Sequence, residues 1–238
     1  MSQNLSPAVA IDRFHPFRAG LRAARANLAP SLLIQLAMLF VVVGYYTIPA
    51  VRHALSSVAD VKAHLNFGFS ILASIVAGAL IPEFLTVVFY QKGRVRRKNL
   101  ENLLFTIPYW GWNGFAVDVF YRCQALWFGS VVTIAVVAKK VIVDMFLYNP
   151  IYSTPAAAIC YQWKNGGFRA SALRGVFTWT FYKERVIPAL VTCWGTWIPL
   201  VILIYALPPL LQIPLFNMAL SLWVLLLTHV TSSHKENA

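Results

Sequence analysis

Apolar residues run along this chain in long blocks rather than in short alternations. Pro30 to Val51 carries no Asp, Glu, Lys or Arg, Leu65 to Gln91 carries only Glu83, and Val186 to Ser233 again carries none. About 20 apolar residues cross a bilayer as a helix. The blocks predict six spans, namely Ser31 to Ala50, Leu65 to Tyr90, Gly114 to Ala138, Val141 to Trp163, Val186 to Leu207 and Leu210 to Val230. Strands of a membrane β-barrel alternate apolar and polar with period two, and "SILASIVAGALI" and "LPPLLQIPLFNMALSLWVLLL" do not. The predicted fold class is therefore all-α, a polytopic transmembrane helix bundle. Gly68, Ser70, Ala73, Ser74, Ala77, Gly78 and Ala79 would let another helix come close to the second span. Two parts are expected: residues 1–65, a basic N-terminal segment with the first membrane helix, and residues 66–238, the remaining bundle.

Composition agrees with a membrane setting. Hydrophobic residues make up 59% of the chain and charged residues 12%, against about 25% charged in a soluble domain. Of the twenty Lys and Arg, fifteen fall before span one, between spans two and three, between four and five, and after six. Four fall in the alternate segments, and Arg122 lies inside span three. The positive-inside rule then places both termini, "QKGRVRRKNLENLLFTIPYWGWN" and "KNGGFRASALRGVFTWTFYKE" on the cytoplasmic or matrix-equivalent side.

This asymmetry accounts for the net charge of +12 without nucleic acid. Short basic runs such as "KGRVRRK" beside membrane helices set topology or meet anionic lipid, so the expected partners are the bilayer and small solutes. "FRASALRGVFTWTFYKERV" interleaves aromatic and basic residues as an interfacial anchor helix would. "RFHPFRAGLRAARANLAP" reads either as a mitochondrial presequence or as the basic flank of span one.

Catalytic signals are sparse. Cys123, Cys160 and Cys193 sit within spans without C-x-x-C spacing and read as packing residues, and the five histidines are scattered. No H-E-x-x-H, G-x-S-x-G or P-loop occurs, so neither an enzyme, a metal nor a cofactor is expected. What remains is Glu83, Asp118, Arg122, Lys140 and Asp144 in or beside the spans, where ionisable groups are expensive and mark a polar interior or pathway. Asp118 and Arg122 are four apart and can neutralise each other, as can Lys140 and Asp144. Asp144 also falls in the first turn of its predicted span, where the helix dipole favours a carboxylate; it either starts a helix or lines a path. Glu83 follows Pro82 and has no sequence-local partner, which makes it a pathway candidate.

"KKVIVDMFLYNP" resembles the Lys-Val-x-x-Asp-Gln-x-x-x-x-Pro signature of the Mpv-seventeen and peroxisomal membrane protein family, through Lys140, Val141, Asp144 and Pro150, with Met145 in place of glutamine. "GFAVDVFY" is similar to that family's Gly-Pro-x-x-His-x-Trp-Tyr stretch through Gly114 and Tyr121, with Phe115, Asp118 and Phe120 in place of proline, histidine and tryptophan. Near the C-terminus, Trp197, Pro199, Tyr205, Pro208, Asn217, Trp223 and Leu227 fall at positions typical of the family, while Gln212 and Val224 depart from it. The resemblance covers roughly residues 72–228. It implies an integral protein of mitochondrial inner or peroxisomal membranes, with bacterial relatives in the cytoplasmic membrane, acting as a pore for small solutes. Three readings follow: a channel or transporter for small solutes, anions included; a non-transporting membrane scaffold or homeostasis protein; and a membrane-embedded enzyme.

Topology reporters fused after Asn99, Ala170 and Ala238 are expected to report the cytoplasmic side, and fusions near Ser57 and Pro208 the opposite side. A far-side signal at Ala238 would remove the six-span reading.

Overall fold

The computed structural model describes residues 15–236, and side chains for residues 16–224. Features read at Asp12, Arg13, His15, Leu227, His229, His234 and Lys235 therefore lie outside the described side chains. Among the described residues the structure is helical, with no strand. Helix α1 (His15–Ala26) leads into α2 (Leu28–Thr47), α3 (Pro49–Leu65) and α4 (Phe67–Tyr90). Then come α5 (Arg97–Phe128), α6 (residues 134–165), α7 (Trp179–Tyr205) and α8 (Pro209–Glu236). Three of these, α2, α4 and α7, are long and apolar enough to cross a membrane.

Several expected boundaries are corrected. The segment between the first two spans is not a loop but the helix α3, which runs on from the end of α2 and contacts α8 and α2. Most of "QKGRVRRKNLENLLFTIPYWGWN" is helical, because α5 begins at Arg97. Its charges interrupt an apolar window, but helix formation does not require apolarity. The span drawn as Gly114 to Ala138 breaks at Gly129, whose φ of 92° suits glycine alone, and Thr133 caps the next helix by accepting from Val136 N at 3.3 Å. Residues 134–138 belong to α6, and the basic pair Lys139 and Lys140 lies within its early turns rather than in a loop. The expected interfacial helix is limited to a short turn at Ala170–Leu173 before α7 starts at Trp179.

Prolines shape the long helices. A proline lacks an N–H and its ring crowds the carbonyl four residues back, and a wider i→i+5 turn relieves that crowding. Such π-helical turns occur at Val76–Leu80 ahead of Pro82, at Asp144–Ser153 around Pro150, and at Tyr182–Val186 ahead of Pro188.

The densest core lies at the end of the bundle away from the long basic segments. Ile34, Met38 and Val42 of α2 and Val117, Phe120 and Tyr121 of α5 belong to it, with Leu200, Ile204 and Tyr205 of α7 and Leu211, Leu215 and Ala219 of α8. Helices α5 and α6 touch beside their connecting turn. The N-terminal helices are part of the same body: α1 packs on α7, and Thr192 Oγ1 donates to Gly20 O at 3.2 Å. Facing outward are apolar side chains such as Phe40, Phe84, Leu126, Ile134 and Ile151, as a lipid-embedded surface requires.

The small residues of α4 have the expected effect. A Cβ at Gly114 would lie 2.3 Å from the Ser70 carbonyl oxygen and 2.5 Å from Ser74 Oγ, so α4 and α5 meet nearly backbone to backbone. Gly68, in contrast, has open space around it. Gly114→Ala is expected to cost about 1–3 kcal/mol through overpacking, read as a lower unfolding midpoint in detergent, while Gly68→Ala leaves the midpoint unchanged or slightly higher.

Candidate functional site

Two polar centres occupy the interior, and they divide the charges singled out from the sequence. The first lies where α3 turns into α4. Lys62, buried near the end of α3, directs its ammonium to Asp118 of α5, to Ser70 Oγ at 2.8 Å and to the Asn66 carbonyl at 2.9 Å. All three ammonium protons are thereby used. Ser70 Oγ donates to Asp118 Oδ2 at 2.6 Å, and Arg122 Nε reaches Asp118 Oδ1 at 3.1 Å, as their spacing led us to expect. Arg122 also donates to the Asn66 side chain and covers the Phe67 ring at 4.2 Å. Its side chain remains 44% exposed. Lys62 was missed as a partner because 56 residues separate it from Asp118, and no local pattern signals such a pair.

The second centre is built on Asp144. The expectation that it starts a helix is overturned: α6 begins at Ile134, and Asp144 lies ten residues further along a continuous helix. Nor does it pair with Lys140, whose ammonium lies 5.8 Å from the centre of the Tyr205 ring and makes no ion pair with Asp144. Tyr205 Oη instead donates to Asp144 Oδ2 at 2.6 Å, and Gln124 Nε2 donates to Tyr205 Oη at 2.9 Å. All three side chains are buried. Gln124 carries no charge and so escaped a search for ionisable groups; an interior glutamine in an apolar span was the available signal.

Asp144 faces a cavity of about 280 Å³ between α5, α6, α7 and α8. Its wall includes Tyr109, Asn113, Tyr148, Asn149, Thr154 and Cys193. Ala189, near the basic end of α7, is exposed, most of the wall is half-buried, and Asp144, Tyr121 and Val201 are buried. Tyr205 and Gln124 stand behind Asp144 and do not line the space. Glu83, Asp118, Arg122 and Lys140 do not line it either. Glu83 sits at the basic end, where the Asn99 side chain donates to it, and Asn99 Oδ1 in turn accepts from Arg96 N at the start of α5. Nearby, burial pushes the Lys164 ammonium below its usual range, and the charge of Glu83 opposes that shift.

The π-helical register of α6 makes this wall. Tyr148 and Asn149 lie four and five residues after Asp144, and Ser153 lies five and four residues after them, the period of an i→i+5 helix, and all four line the cavity. At i→i+5 spacing the missing N–H groups of Pro150 and Pro155 fall opposite the carbonyls of Met145 and Pro150. Trp194 Nε1 donates to Met145 O at 2.8 Å, and Tyr182 Oη donates to Pro150 O at 3.0 Å. Both donors belong to α7, so the deficit of one helix becomes the attachment of the next. Asn149 completes the wall, donating to Cys193 Sγ at 3.2 Å and accepting from Thr154.

The family-like residues fall around these centres. The Tyr121 ring lies tilted against that of Tyr205 at 5.0 Å, Trp197 lines the cavity, and Ser74 donates to Asn217 Oδ1 at 2.9 Å. Pro199 lies within α7, Pro208 in the turn before α8, and Trp223 against the core. Among the described residues no group of His, Cys, Asp and Glu is placed to hold a metal ion. No family model, curated protein or solved structure matches the chain.

Asp118→Asn is expected to destabilise the fold by about 3–5 kcal/mol by stranding buried Lys62. Lys62→Met combined with Asp118→Leu should cost clearly less than the two single changes added together. A double-mutant cycle read by unfolding in detergent checks this, and zero coupling would contradict the contact.

Proposed function

We propose that the chain crosses the membrane six times and carries small solutes through the cavity at Asp144. Beyond the three apolar helices, the crossings would be α5, α6 and α8. On α5 and α6 the charged Asp118, Lys140 and Asp144 are buried, while Leu104, Trp112 and Leu126 of α5 and Ile142, Phe146 and Ile151 of α6 face out. Average hydropathy therefore understates how apolar their outer faces are. With 32 residues, α5 is about 48 Å long at 1.5 Å per residue, longer than a hydrocarbon core of about 30 Å.

Orientation follows from exposed charge. On the minority side Lys62 and Lys140 are buried, and Arg52 is bound to the carbonyls of Tyr45 and Tyr46 that end α2. The positive-inside bias of the exposed surface is thus stronger than the residue count, and the basic end belongs on the cytoplasmic or matrix-equivalent side. Kinship with the Mpv-seventeen and peroxisomal membrane protein family remains part of this proposal, supported by the placement of Asp144, Trp197 and Asn217. So does a bacterial cytoplasmic, mitochondrial inner or peroxisomal membrane.

The observation that carries the transport reading is a buried carboxylate facing a space that other polar side chains share. A scaffold needs charges that only hold helices, and the Asp118 cluster answers that description. It does not account for the open space at Asp144.

Purified protein in liposomes is expected to pass small ions and metabolites above the leak of empty vesicles. Asp144→Asn, which still accepts from Tyr205, should keep the fold and move cation-to-anion permeability toward anions. Glu83→Gln should leave selectivity unchanged. No flux above empty vesicles across the panel would overturn the proposal.

A further inference from the structure

Among the described residues Asp144 is the one formally charged side chain on the cavity wall, and no Lys, Arg or His lines it. Its hydrogen bond comes from the neutral hydroxyl of Tyr205. Lys140 turns to the Tyr205 ring, Lys62 and Arg122 are held by Asp118, and none of the other lysines and arginines of α5, α6 and α7 lines the cavity. Burial disfavours a charged carboxylate that has no counter-charge, a cation beside it restores the ionised form, and in that form it exerts a weakly screened negative potential on what enters. An anion would meet that potential with no cation to offset it.

Aromatic rings form part of the remaining wall. Tyr109, Trp110, Tyr121, Tyr148, Trp197 and Phe216 contribute to it, and ring faces attract cations, quaternary ammonium groups among them. A hard inorganic cation asks for six or more oxygen ligands around one point, whereas the oxygens of this wall, on Tyr109, Asn113, Tyr121, Tyr148, Ser153 and Thr154 besides Asp144, are spread along two helices, Tyr109 and Tyr121 alone lying about 18 Å apart along α5. The Tyr148 hydroxyl is buried with no hydrogen-bond partner. At about 280 Å³ the space is at the small end of ligand pockets.

We infer that the cavity takes a small organic cation, a substituted amine or quaternary ammonium compound, with its charged head beside Asp144 and its alkyl groups against the rings. This rests on reading the cavity as the solute site and gives that site its ligand class. The ligand would supply the counter-charge that the fold withholds.

Choline is a suitable probe, with its neutral isostere 3,3-dimethylbutanol and acetate as controls. Millimolar choline is expected to raise the unfolding midpoint of the purified protein, the controls to leave it unchanged, and Asp144→Asn to abolish the shift. If that variant does not fold, Cys193, which lines the cavity, gives a second reading with Asp144 intact. In protein carrying Cys123→Ala and Cys160→Ala, a trimethylammonium methanethiosulfonate should modify Cys193 at least tenfold faster than the sulfonate reagent, relative to a free thiol. Choline should slow the reaction. Equal rates, an anion preference, or equal stabilisation by the neutral isostere would overturn the inference. Solute flux without choline binding would overturn it while leaving transport standing; choline binding without flux would support it and remove transport.

Discussion

A backbone carbonyl in lipid must find a donor within the protein, and the interior of this bundle is arranged around carbonyls that prolines leave open. In α6 the widened turn around Pro150 would strand two of them, and the indole of Trp194 and the hydroxyl of Tyr182 supply the missing donors from α7. The same widened turn brings Asp144, Tyr148, Asn149 and Ser153 onto one face. Under an ordinary α-helical period Asn149 and Ser153 would rotate away from Asp144. Attachment of α6 to α7 and the composition of the cavity wall thus have a common origin.

The two polar centres show what partners do to a charge. Around Asp118, two cations, a serine hydroxyl and the turn at Asn66 use up the carboxylate, and the result is a rivet between α3, α4 and α5. At Asp144 a tyrosine and a glutamine orient the carboxylate without neutralising it. One arrangement holds helices together; the other leaves a field directed into open space. The bundle is correspondingly close-packed at the end that holds Tyr205 and Leu211 and leaves space at the cavity between α5, α6, α7 and α8.

Much of the architecture was legible in the chain. Charge-free blocks longer than a bilayer crossing located the helices, and the small residues of α4 located the closest helix contact at Gly114. The i,i+4 rule found Asp118 with Arg122 but suggested Lys140 with Asp144, where the lysine stem turns to an aromatic ring. Lys62, Gln124 and Tyr205 went unassigned because their partners are supplied by tertiary packing: Tyr205 lies 61 residues from Asp144. Helix α3 was hidden because its charges broke the apolar window, and the face of α6 because a proline changed its period.

The central claim is that a cavity ending at Asp144 opens toward the basic face and is closed toward the other. Side-specific labelling of Ala157→Cys, with Cys123, Cys160 and Cys193 replaced, tests it in sealed membranes of known orientation using a small membrane-impermeant maleimide. The account predicts modification from the basic face and none from the opposite face. Modification from the opposite face, or from neither, would contradict it.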